Sequence, residues 1–211
     1  MNQETKQSLA DFVPAPIEGW RVRLDPMKET DSEDLLKISQ DERIWRFMAR
    51  GSLTSVQDAR EFIQQALSGQ ERGTDVPYVI RLKSDGSVIG STRYLLIDPV
   101  NNSVEVGWLF IDPCQHRRYY VQEVCYLQIA HAFDVLGADR VWFKTDNRNV
   151  AAKKAMDSMG LKREGVLRKH LRVKDGYIRD SSIHSYISDE WSECGPRFRE
   201  KVLERVNQDA Q

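Results

Sequence analysis

Paired cysteines, long apolar runs and any excess of charge are all missing from this chain. Its 211 residues include three cysteines, Cys114, Cys125 and Cys194. An odd number at wide spacing lacks the paired-ligand pattern of a zinc site, so no metal is expected and the three read as thiols in a reducing compartment. Nowhere do eighteen apolar residues run together, and the first residues, Met-Asn-Gln-Glu-Thr-Lys-Gln, have no apolar centre. Neither a membrane span nor a secretion signal is read, so a soluble, cytoplasmic protein without a membrane partner is expected. Basic and acidic residues nearly cancel, 31 against 32, which speaks against a protein whose main task is holding nucleic acid. No internal repeat appears, and the length suits one domain able to bury a full core.

What the chain does have is organised around residues 104–136. Residues 104–112 are mostly apolar, β-branched or aromatic, the pattern of a largely buried strand, and Pro113 ends it. A short basic loop follows. From residue 119 the period changes: Val121, Val124, Cys125, Ala132 and Leu136 share a helical face, widened by Leu127, Ile129 and Phe133. A strand, a loop and a buried helix in that order aim the first helical amides at the strand's end, a geometry suited to an anion or a phosphate.

In chain order, residues 1–17 read as a flexible leader ending at Pro14 and Pro16. Residues 20–24 alternate apolar and basic side chains as a half-buried strand does. A short helix is expected around residues 31–39. Thr54 and Gln57 suggest a capping box ahead of a helix with Val56, Ala59, Phe62, Ile63, Ala66 and Leu67 inward. Two strands, 78–82 and 88–97, flank the turn signal Asp85-Gly86, and Asp98-Pro-Val-Asn-Asn102 turns the chain into the central strand. These three strands are therefore antiparallel neighbours. Residues 141–145 follow the central helix and must lie parallel to the central strand, because the connection is a crossover. Asn149 is placed to cap a helix that Gly160 stops. Residues 165–173 and 177–187 form a hairpin about Lys174-Asp-Gly176, and a last amphipathic helix spans roughly residues 196–206. The domain division expected is a core over 18–192 with a C-terminal helix, 193–211, packed on it or extending it.

This order resembles the GNAT superfamily of N-acetyltransferases, in the branch similar to the ribosomal-protein alanine N-acetyltransferases (RimJ/RimL-like). The resemblance covers about residues 18–192. It rests on Val22-Arg-Leu24, Ile44-Trp-Arg-Phe-Met48, Val88-Ile-Gly-Ser-Thr-Arg-Tyr94, Glu105-Val-Gly-Trp-Leu109, Asp112-Pro113, Lys144-Thr-Asp-Asn-Arg-Asn149, Gly165-Val-Leu-Arg-Lys-His170 and Asp189-Glu-Trp191. It implies an α/β (α+β) GNAT fold, a twisted mixed sheet of about seven strands with two helices on each face. It also implies acyl transfer from acetyl-CoA, as co-substrate, to a primary amine of a protein N-terminus or a small molecule. In the family the two parallel strands splay, and the pantetheine amides continue the sheet in the gap, where an open strand edge suits an amide-bearing ligand.

Carried over residue by residue, the resemblance makes Glu105 the general base. It makes the backbone of Val106, Gly107 and Trp108 the cradle of the thioester carbonyl, Arg117, Arg118 and Tyr119 the phosphate loop, and Asn149 a donor to pantetheine. Two departures stand out. Tyr119 occupies the second glycine place of the loop and Tyr120 follows it, so two rings stand where the family keeps space. Ala152 stands where many members have a hydroxyl that protonates the leaving thiolate. They keep a second reading open: a diverged GNAT domain with its CoA slot plugged, acting as a binding module or taking another donor such as aminoacyl-tRNA. A homodimer is left open. Each site residue also has a plainer reading. Glu105 could face solvent or pair with Arg93, Asn149 could only cap, and Arg117, Arg118 and His116 could be solvated. His184 reads as a satisfied structural histidine, and Trp45, Phe47, Tyr94 and Trp108 as core. The basic run from Lys162 to Lys174 reads as a solvated strand face.

Overall fold

The computed structural model describes residues 8–208. Eight strands form one sheet: β1 (Ile17–Glu18), β2 (Val22–Pro26), β3 (Val76–Leu82), β4 (Val88–Asp98), β5 (Ser103–Ile111), β6 (Arg140–Asp146), β7 (Lys162–Arg172) and β8 (Ile178–Ile187), in the order β1-β2-β3-β4-β5-β6-β8-β7. The strand beyond the seven expected is the two-residue β1, too short to carry a periodicity. Strands β1 to β5 are successive antiparallel neighbours, β5 and β6 are parallel, and β8 pairs antiparallel with both β6 and β7.

Helices α1 (Ser32–Ile38), α2 (Glu42–Trp45) and α3 (Val56–Glu71) lie on one face of the sheet, and α4 (Tyr120–Ala130), α5 (Val150–Met159) and α6 (Ser188–Gln208) on the other. Alternation along β3 shows why. Tyr78 and Ile80 enter the cluster built with Val124, Ile129, Phe133 and Trp191, whereas Val79 enters the one built with Leu35, Trp45, Phe62 and Phe110. Helix α4 widens into a single π turn over His131–Val135.

Three local expectations shift. The cap of α3 is Ser55, whose side chain accepts from the Asp58 amide, while the Thr54 amide donates to Asp58 Oδ2 at 2.9 Å. The cap lies one residue later than Thr54, because Ser55 holds the extended backbone that a cap needs, and no reciprocal box with residue 57 forms. Helix α6 starts at Ser188 rather than near Pro196. Pro196 resembles a first helical residue but sits inside the helix, one turn beyond the buried Trp191. Within the segment read as a leader, Leu9 is buried and Phe12 packs edge-on against Tyr94 at 5.4 Å; residues 1–7 lie outside the described residues.

Candidate active site

The parallel pairing of β5 with β6 runs over Ser103–Arg140, Val104–Val141 and Glu105–Trp142 and stops there, while β6 continues on β8 as far as Asp146. The two parallel strands therefore part immediately after Glu105. A bulge sharpens the divergence. Ser91 pairs with Phe110 and Arg93 with Gly107, so Trp108 and Leu109 together oppose Thr92, with Trp108 at φ 50°. A left-handed tryptophan is costly, and it re-aims the backbone of Val106, Gly107 and Trp108 at the point of parting.

Glu105 is 1% exposed. Its register opposite Leu95, two residues from the Arg93–Gly107 pair, puts it on the sheet face covered by α3. Lys144 lies two residues beyond Trp142, the partner of Glu105, and hence on the same face; its Nζ donates to Glu105 Oε2 at 2.8 Å. Burial raises the Glu105 pKa, the Lys144 and Arg179 cations oppose the rise, and Asp75 adds to it. Gly107 keeps the carboxylate clear: a Cβ there would stand 3.0 Å from Glu105 Oε1 and 2.8 Å from Leu95 Cδ1. The structure thus excludes both plainer readings of Glu105, solvent exposure and pairing with Arg93. Arg93 instead lies over the rings of Phe62 and Trp108, at 4.4 and 5.0 Å, and burial lowers its pKa to about 10.

Asn149 caps α5, its Oδ1 accepting from the Ala152 amide at 3.1 Å, and its side-chain nitrogen makes no hydrogen bond among the described residues. Gly160 ends that helix at φ 90°, where a Cβ would stand 2.5 Å from the Tyr186 hydroxyl. Ser158 does not supply the hydroxyl missing at Ala152, since its Oγ donates to the Ala155 carbonyl at 2.7 Å.

Between β5 and α4, Asp112 caps a 3-10 turn over Pro113–Arg118, and Tyr119 follows at φ 55°. That left-handed position is one where glycine costs least. The Tyr119 side chain makes no capping hydrogen bond at the start of α4. The side chains of His116, Arg117 and Arg118 lie outside the described residues. The two tyrosines go separate ways: Tyr119 is 37% exposed with Arg205 over its ring at 4.7 Å, and Tyr120 is buried in the core with Arg21 over its ring at 4.8 Å.

One acidic residue on α4 was not singled out from the sequence. Glu123, fully buried, accepts from the amides of Trp20 at 2.7 Å, Arg21 at 2.8 Å and Val22 at 3.2 Å, and from Arg21 Nε at 3.1 Å. Its signal was a carboxylate on the inward face of a buried helix. Trp45 and Tyr94 are core residues, as read. Trp108 is half-buried at the bulge, and the half-buried Phe47 lends its carbonyl to Arg179 Nη1 at 3.2 Å. His184 is buried, but neither ring nitrogen is hydrogen-bonded among the described residues; Asp157 Oδ1 stands 3.7 Å from Nε2. It is structural without being satisfied, because it faces α5 rather than a hydrogen-bonding neighbour on its own hairpin. No group of three metal-ligating side chains occurs among the described residues, and no helix there is long and apolar enough to cross a membrane.

The family model described as an acetyltransferase (GNAT) domain covers residues 21–162. This chain belongs to the GNAT family. An uncharacterized N-acetyltransferase, p20 of Bacillus licheniformis, is 24% identical over 172 residues, covering 82% of this chain and 96% of the relative. A GCN5-related N-acetyltransferase from Brucella melitensis has a similar structure, with a TM-score of 0.82 at 24% identity, covering 90% of this chain and 86% of that one. RimJ of Mycobacterium smegmatis, solved in complex with CoA-disulfide, gives 0.77 at 18% identity, covering 89% and 95%. The chain is therefore an acyl-transferring enzyme of the N-acetyltransferase class, with RimJ among its structural neighbours. The diverged reading, a binding module or a transferase with another donor, is not favoured.

Proposed function

We propose that this GNAT enzyme acetylates a primary amine, either a protein N-terminus or a small-molecule amine, with acetyl-CoA as donor. The observation that carries the reading is Glu105, buried at the last residue of the β5–β6 pairing with a raised pKa and one cationic partner. Gly107 leaves backbone room beside that carboxylate, and the Asn149 side-chain nitrogen is without a partner among the described residues; both features suit an amide-rich ligand lying in the gap. Acetyl-CoA supplies the activated acetyl group as a thioester.

The chain's own residues do the rest. The amides around Val106, Gly107 and Trp108 stabilise negative charge developing on the acyl oxygen. Asn149 donates to the pantetheine arm, and the loop of Arg117, Arg118 and Tyr119 with the first amides of α4 holds the phosphates. Glu105 takes the proton from the acceptor ammonium, directly or through water, and Lys144 keeps the carboxylate ionised enough to do so. Attack of the free amine forms the C–N bond as the C–S bond breaks. With alanine at position 152 the CoA sulfur departs as thiolate, already a fair leaving group, and takes up through solvent the proton that the new amide nitrogen sheds. A protein N-terminus is supported by the structural likeness to RimL, a ribosomal L7/L12 alpha-N-protein acetyltransferase, and a small-molecule amine is the other acceptor class that the resemblance implies.

The test is calorimetric titration with acetyl-CoA, followed by thiol release in the presence of a panel of amines and peptide N-termini. Binding with amine-dependent thiol release is expected. Failure to bind at millimolar acetyl-CoA overturns the proposal.

A further inference from the structure

Helix α6 begins beyond the segment that matches the family model, residues 21–162, and it runs antiparallel along α4. Near its start Trp191 stacks on Phe133 and donates to Asp134 Oδ1 at 2.8 Å, at the far end of α4. In its middle Phe198 meets Tyr126 edge-on at 5.5 Å. Near its end Arg205 lies over Tyr119, the residue just before α4. The last turns of α6 are thus delivered to the loop that precedes α4. A cavity of about 470 Å³ opens there, with Tyr119 and Gln122 on one side, Ser158 on another, and Lys201 and Arg205 on the third. That volume lies in the range of small-ligand sites.

The two cations are four residues apart and share one face of α6. Lys201 Nζ reaches only the Ser158 carbonyl, at 3.4 Å, and Arg205 Nη1 only the Gln208 side chain, at 3.1 Å; neither forms an ion pair among the described residues. Glu204 also lines the cavity, so its wall carries one net positive charge. Cations on a cavity wall without carboxylate partners among the described residues suit a ligand bearing a phosphate.

We propose that this cavity takes the nucleotide end of coenzyme A, and that Lys201 and Arg205 hold its ribose 3′-phosphate. The inference rests on the reading that this enzyme uses CoA. A phosphomonoester bears close to two negative charges at neutral pH, and it stands on the nucleotide side of the diphosphate that the loop before α4 would hold. The C-terminal helix thereby makes coenzyme affinity depend on a phosphate remote from the reacting thioester.

The experiment compares CoA with 3′-dephospho-CoA by calorimetry on the full-length protein, first unaltered and then as K201Q/R205Q. The unaltered protein is expected to prefer CoA by about ten- to a hundredfold, the range for one or two charge-assisted hydrogen bonds. The double variant is expected to lose most of that preference with dephospho-CoA binding unchanged and the melting temperature retained. Equal affinity of the unaltered protein for the two ligands overturns the proposal without any variant. So does a variant that weakens both ligands alike. Absence of binding to either overturns the CoA reading itself, which separates the two failures.

Discussion

Glu105 and Glu123 are both carboxylates withdrawn from water, 1% and 0% exposed, and their surroundings are opposite. Glu123 receives three backbone amides and an arginine Nε, from the turn between β1 and β2 and the first residue of β2. A carboxylate so surrounded, in the first turn of a helix where negative charge is favoured, has its hydrogen-bonding capacity taken up and locks two elements together. Gly19 makes the approach feasible, since a Cβ there would stand 2.6 Å from Glu123 Oε1. Glu105 receives one lysine, and its pKa is raised by burial. The two buried acids thus differ in the number of donors around them rather than in depth, which is what the proposed base role of Glu105 rests on.

The comparison yields three expectations, in decreasing order of effect. Glu105→Gln is expected to lower kcat by about 10²- to 10⁴-fold, the usual contribution of a general base, with little change in melting temperature. A full-rate variant would remove the base role from Glu105. Glu123→Ala is expected to cost about 3–5 kcal/mol in a urea unfolding series, because four donors would be left buried without their acceptor; a loss below about 1 kcal/mol would show that water replaces the carboxylate and that the lock is weak. The smallest effect belongs to Lys144→Met. A raised carboxyl pKa means that proton-accepting activity is complete above that pKa and lost as pH falls through it, so the acid limb of kcat/KM is expected above the ordinary carboxylate range. Removing the opposing cation is expected to move that limb further toward alkaline pH. A limb that stays in place would mean that another group titrates.

Much of the scaffold was legible because its signals are local. The Asp85-Gly86 turn, the Asn149 cap and the Gly160 stop each depend on neighbours within a few residues, and each is found where periodicity and turn chemistry put it. Glu105 could be placed on a strand at a family position. Its partner could not be read, because Lys144 comes within reach only through the parallel register of β5 with β6, across a whole helical crossover. The same holds for Glu123, whose meaning lies in a turn about a hundred residues earlier. The cap of α3 missed by one residue and the start of α6 by eight because Thr54 and Pro196 each satisfy a residue preference while a neighbour satisfies the geometry. The loop before α4 shows a further kind of limit: the sequence reveals that two tyrosines are present but not that their rings diverge, one toward α6 and one into the core.

The seam between β5 and β6 is only three residue pairs long, and this parallel pairing joins the block β1 to β5 to the block β6, β8 and β7. Past Glu105 the edge of β5 that faces β6 has no strand partner among the described residues, since β4 lies on its other side. In hydrogen–deuterium exchange the amides of β5 beyond Glu105 that face the divide should therefore trade their protons sooner than those of β3 or β4, and slow sharply once a ligand bridges the two blocks.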